Sequence, residues 1–139
     1  MKTIAQAIAN TLGLSFIYAR SHEANITLDT TTMPAMILQE TISGQMLLEG
    51  NSVWQNNSYV VEFINLADMQ DSSDNNDVIM QAMIVKAVSF IKTLNISTSI
   101  NEKIASYEWE KVQENVYDIN AIGVRLTFTA KINPTTQCD

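Results

Sequence analysis

Only one cysteine, Cys138, and one histidine, His22, occur in 139 residues. A lone cysteine closes no internal disulfide, so nothing implies an oxidising compartment. Neither residue belongs to a zinc-ligand spacing, which needs paired Cys or His a few residues apart. With four glycines in all, the chain has no glycine-rich loop of the kind that cradles phosphate. Basic residues are also scarce: eight Lys and Arg stand against fifteen Asp and Glu, for a net charge of −7. The eight form no run, which argues against non-specific binding to a nucleic-acid backbone. Long apolar runs are missing too. The most apolar stretch, Val78 to Ile91, is broken by Gln81, Lys86 and Ser89, too short and too polar to span a bilayer. The opening, Met1-Lys2-Thr3-Ile4-Ala5-Gln6, alternates apolar with polar residues, and the expectation is a chain without a signal peptide.

What is present is material for a sheet and helices. The length and a hydrophobic fraction of 46% suit one domain with a single core. Ile122, Val124, Leu126, Phe128, Ala130 and Ile132 alternate with Gly123, Arg125, Thr127, Thr129 and Lys131. That is a strand with one apolar and one polar face. Ile4, Ile8 and Leu12 mark the stripe of a short first helix ending near Gly13. Leu14–Tyr18 and Ile26–Leu28 read as extended. The unbroken run Ala35–Gln39, after Pro34, reads as a strand buried on both faces. A protruding loop or hairpin is expected at about 45–58, turning at Gly50-Asn51, with Asn56-Asn57-Ser58 as a loop before a strand at Tyr59–Ile64.

Val78 to Leu94 has helical periodicity, with Ser73 or Asp74 as N-cap and Asp77 near the positive helix start. Ile84, Ala87, Val88, Ile91 and Leu94 make one face; Val78, Ala82, Val85 and Phe90 lie elsewhere, and Met80 and Met83 widen the apolar stripe. Gln81, Ser89, Lys92 and Thr93 leave only a narrow polar strip. A helix so apolar is expected to be covered twice, by the sheet and by a second subunit. Ile104–Gln113 supplies another alternating strand, and the turn at Asn115–Asn120 predicts antiparallel pairing with the last one. The fold class is therefore α+β: a mostly antiparallel sheet of four to six strands, with both helices on one face, in the order α-β-β-β-α-β-β.

Chemistry is thin. Asp68, Asp71, Asp74 and Asp77 recur every three residues, but a calcium loop needs alternate oxygen ligands, a central Gly and a final Glu. A solvated loop and helix cap explains them. His22 beside Glu23 is an acid–base pair on paper, yet neighbours in sequence rarely face each other in a site. Glu108 and Glu110 share a strand face with Lys103 and Lys111 near them in sequence, a pattern of exposed cross-strand charge. No catalytic residue, cofactor or metal ligand is expected. Met46, Leu47, Leu48 and Trp54 sit on the expected protrusion, where apolar residues serve either a subunit contact or local packing under the sheet.

Several segments together resemble the tail-terminator and tail-completion proteins of tailed bacteriophages, in particular small neck or tail proteins of Bacteroidales phages and prophages. They are Ala9-Asn10-Thr11-Leu12-Gly13-Leu14-Ser15-Phe16, Met33-Pro34-Ala35-Met36-Ile37-Leu38, Thr41–Gly44 and Val60–Asp68. Phe90-Ile91, Leu94-Asn95, Tyr117–Leu126 and the late Cys138 complete the set. The chain departs from the pattern in lacking a lysine after Leu66 and a glycine before Cys138. The resemblance implies a non-enzymatic virion protein, a six- or twelve-fold ring with portal, adaptor and other tail proteins as neighbours, through which DNA passes. On that expectation Met46, Leu47, Leu48, Trp54, Met80 and Met83 lie at the subunit interface. Arg125, Thr127, Thr129 and Lys131 then face the lumen or a neighbour. The other reading is a bacterial module that binds a small ligand or peptide; an acid–base enzyme built on His22 or the Asp68–Asp77 acids is a third.

Overall fold

In a computed structural model of the chain, residues 1–19, 33–41, 43–66, 73–97, 104, 106–113 and 121–132 are described. They form α1 (Lys2–Thr11), β1 (Ser15–Ala19), β2 (Ala35–Gln39), β3 (Gly44–Glu49), β4 (Ser52–Leu66), α2 (Ser73–Asn95), β5 (Glu108–Gln113) and β6 (Ala121–Ile132). One six-stranded sheet runs β1-β2-β4-β6-β5, with β3 also paired to β4. All pairings are antiparallel except β1 with β2. The expected α+β class and mostly antiparallel sheet are observed, with four strands and not three between the two helices, because residues 44–66 form a two-stranded hairpin and not a protrusion before one strand.

α1 ends where its sequence stops it. Gly13 takes a left-handed φ of 71°, open to glycine without a Cβ penalty. The Gly13 N–H donates to the Asn10 carbonyl and the Leu14 N–H to the Ala9 carbonyl, closing the helix in a Schellman turn. Lys86 of α2 adds a cation there, its Nζ donating to the Leu12 carbonyl at 2.7 Å. The exit aims Leu14 into the core and feeds β1.

The apolar row of β6 is buried along its whole length and, with Tyr59, Val61 and Phe63 of β4, floors the core. Met80, Met83, Ala87, Phe90 and Leu94 of α2 cover it, as do Ala5, Ile8 and Ala9 of α1. Phe90 meets Phe63 edge-on at 5.4 Å between ring centroids and lies 6.2 Å from Phe128, arrangements that add to burial. Ile17, Ala35, Ile37 and Ile64 are buried on the other face, so β2 is apolar on both sides.

Four expectations need correction. Asn56-Asn57-Ser58 is not a loop: β4 runs straight through it, pairing these residues with Lys131, Ala130 and Thr129. Asn57 is tolerated inside because its Nδ2 donates to the Tyr59 hydroxyl, and because Gly44 lies opposite, where a Cβ would overlap the Asn57 side-chain oxygen. On α2, Phe90 and not Val88 belongs to the buried face; Val88 is exposed. Met80 and Met83 are buried against the sheet, so neither offers surface to a second subunit. The last-but-one strand is shorter than Ile104–Gln113, beginning at Glu108. Ile26–Leu28 and Asn115–Asn120 lie outside the described residues.

Candidate interaction surfaces

β3 and β4 form a hairpin whose two-residue turn, Gly50-Asn51, uses Gly50 at φ 61°. Because the register pairs Leu48 with Val53, these side chains share the helix-side face with Met46. The helices do not reach that far, and Met46 and Leu48 remain 67% and 76% exposed. Leu47 and Trp54 turn to the other face and are half-buried. Lys131 of β6 lies over the Trp54 ring at 5.8 Å and bonds to Glu49, tying the hairpin to the end of β6. The expected apolar group thus divides: Met46 and Leu48 are exposed on the helix-side face, while Leu47 and Trp54 are half-buried on the other.

The outward stripe of α2 is also apolar. Val78, Ala82 and Val85 follow one another at helical spacing and are exposed. The long helix therefore has one face against the sheet and a second apolar face in solvent. Phe90 passes Phe128, and Asn95 bonds to Tyr107 beyond it. The N-terminal half of α2 consequently lies toward Val124, far along β6 from the hairpin, which pairs at Ile132.

The polar row of β6 is partly covered: Arg125, Thr127 and Lys131 are half-buried and Thr129 is exposed. Glu62, Arg125 and Glu110 are directly opposite one another across β4, β6 and β5. Glu62 is fully buried. It accepts from Gln39 Nε2 at 2.9 Å and pairs with Arg125 Nη2 at 3.3 Å. Arg125 Nη1 donates to Glu110 at 2.5 Å. Burial works against the charged guanidinium, but the fields and hydrogen bonds of Glu62 and Glu110 outweigh it and raise the Arg125 pKa above its ordinary value. Arg125 Nε is buried with no hydrogen-bond partner among the described residues. Both cations of the row are therefore already matched by acids, a cross-strand match that local sequence does not display.

Among the described residues, two hollows are lined on the helix side. A cleft of about 340 Å³ opens between Met1 and Lys2 of α1, Tyr18, and the start of β3, with Asn57 and Tyr59 at its base. A groove of about 350 Å³ runs between α2 and β5, walled by Ile84, Val88, Ile91 and Trp109 and floored by Val124 and Leu126. Trp109 lies within the alternating Ile104–Gln113 stretch, where no local signal marks it out, and is 64% exposed at the groove's rim. Tyr107, at the groove's end, donates its hydroxyl to Asn95 Oδ1, and burial pushes its pKa up to about 12.

Of the titratable residues named in the sequence, Asp77 is exposed on α2; His22, Glu23, Asp68, Asp71 and Cys138 lie outside the described residues, as does the Asp74 side chain. No described cluster of three His, Cys, Asp or Glu could hold a metal ion. No described helix is long and apolar enough to cross a membrane. No protein-family model matches the chain, and no curated protein matches it either.

Proposed function

We propose that the chain is a structural subunit of a tailed-phage virion, acting as one copy of an oligomeric ring in the neck or tail that joins the portal or connector to the tail and lets DNA pass. The observation that carries the reading is the presence of two separate exposed apolar surfaces. One is the hairpin patch, Met46, Leu48 and Val53; the other is the α2 stripe, Val78, Ala82 and Val85. Exposed apolar patches of this kind mark contact sites. A head-to-tail ring requires two different surfaces that fit each other, closing when the rotation per subunit closes. The net charge of −7 suits a channel wall that repels the DNA it conducts. The resemblance in sequence order to tail-terminator proteins supplies the six- or twelve-fold symmetry and the portal, adaptor and tail neighbours. The protein is then made in the host cytoplasm and resides in the virion.

Light scattering on the eluting protein tests the assembly. The expected result is a discrete closed oligomer, dissociated by Met46→Lys with Leu48→Lys. A particle mass that climbs without limit, or a wild-type oligomer indifferent to that double substitution, contradicts the reading. A second reading, a bacterial small-ligand module, rests on the cleft of about 340 Å³ beside α1, a volume in the range of ligand pockets. It predicts a stable monomer whose Asn57 and Tyr59 resonances shift with a small polar ligand.

A further inference from the structure

We propose that the groove between α2 and β5 receives an extended segment of a different protein, added as a strand to the β5 edge. The added strand carries an acid opposite Lys111, a large apolar residue opposite Trp109, and basic or neutral residues opposite Glu110 and Glu108. This is a property of a single subunit and stands apart from the ring reading.

Among the described strands β5 pairs with β6 alone, so its outer row of N–H and C=O groups meets no described strand. Such an edge is a template for another strand. Beside it the groove offers an apolar slot for side chains pointing to the helix side. Charge decides what fits. Lys111 shares the helix-side face with Trp109, two residues along. Lys92 lies one turn beyond Val88 on α2, and both lysines are exposed. The acid among the described side chains of α2, Asp77, is two turns before Ile84, about 10 Å away along the axis. In an acidic chain the mouth of this apolar slot is therefore basic. The opposite face of β5 presents Glu108 and Glu110, so the added strand must change sign from face to face.

That code argues against a second β5. A two-fold antiparallel pairing centred on Trp109 sets Glu108 against a second Glu110. Centring on Glu110 or on Lys111 sets that residue against itself. Like charges directly opposite destabilise a pair. The far edge strand, β1, reads Ser15-Phe16-Ile17-Tyr18-Ala19 and has no acid to answer Lys111. A separate chain with the alternating pattern satisfies all four positions.

The test uses the intact protein and two capped octapeptides, Thr-Val-Glu-Lys-Leu-Lys-Val-Thr and its charge-reversed form Thr-Val-Lys-Glu-Leu-Glu-Val-Thr, followed by amide NMR. The first peptide should shift the β5 amides and the Trp109 indole, bind at least tenfold more tightly than the second, and weaken with salt. Lys111→Glu, at an exposed site, should narrow that preference at least tenfold, and Val88→Glu should weaken the first peptide. Equal affinities, or shifts away from β5, overturn the proposal. So does a β5 edge already buried between copies of this chain, seen as an oligomer lost on Val88→Glu; that outcome leaves ring formation standing. A monomer that binds the first peptide as stated upholds the strand site and removes the ring.

Discussion

The Glu62 carboxylate has no access to solvent, so its charge depends on what the sheet register places beside it. Arg125 and Gln39 are among those groups. Arg125→Leu removes the compensating cation from a buried acid and should cost about 3 kcal/mol, read as a lower urea midpoint. Glu110→Ala breaks only the exposed end of the row, where Glu110 is 61% accessible, and should cost less than about 1 kcal/mol. Equal losses for the two variants contradict this account of the row. Tyr107 gives a second handle. Its pKa is raised from 10.0 to about 12 by burial, so the folded state holds the phenolic proton more tightly than the unfolded chain. That contribution is fully present below about pH 10 and is lost as pH rises through 12. The denaturation midpoint of the wild type should therefore fall more steeply between these values than that of Tyr107→Phe; parallel curves contradict the assignment. Little of this was legible in the sequence. Glu62 looked like one polar residue in an apolar strand, and Arg125 like a surface cation. Only the long-range register, Glu62 against Arg125 against Glu110, makes them one unit.

The elements were easier to read where one face is apolar and one is not. β6 alternates without a break from Ile122 to Ile132, and every apolar member is buried. α2 is the opposite case. It is apolar around most of its circumference, so periodicity gives no unique inward side, and Phe90 and Val88 exchanged places between expectation and structure. The sheet decides: Phe90 fits between Phe63 and Phe128, leaving Val78, Ala82 and Val85 outside. β4 shows the same limit, since the polar run Asn56-Asn57-Ser58 is strand only because Gly44 and β6 accept it. Two substitutions separate the faces of α2. Phe90→Ala opens the core and should cost about 3–5 kcal/mol. Val85→Glu should leave stability within about 0.5 kcal/mol and, on the ring proposal, dissociate the oligomer. A core-sized loss at Val85, seen in chemical denaturation, would refute its place on the outer stripe.

For the whole molecule, the fold class follows from the alternation of elements, whereas an interface exists only between chains. Exposed apolar groups at Met46 and Leu48 make a surface suited to contact without saying with what. The ring reading gives them the neighbouring subunit, and the acidic balance gives the assembly a reason to let DNA slide. The central claim is that this chain is a component of the finished particle. Quantitative mass spectrometry of gradient-purified phage particles from the carrying strain tests it most directly. The account predicts peptides of this chain co-banding with capsid and tail proteins at a fixed ring-like stoichiometry, six or twelve copies per particle. Abundant chain in the lysate and none in the purified particles would contradict it.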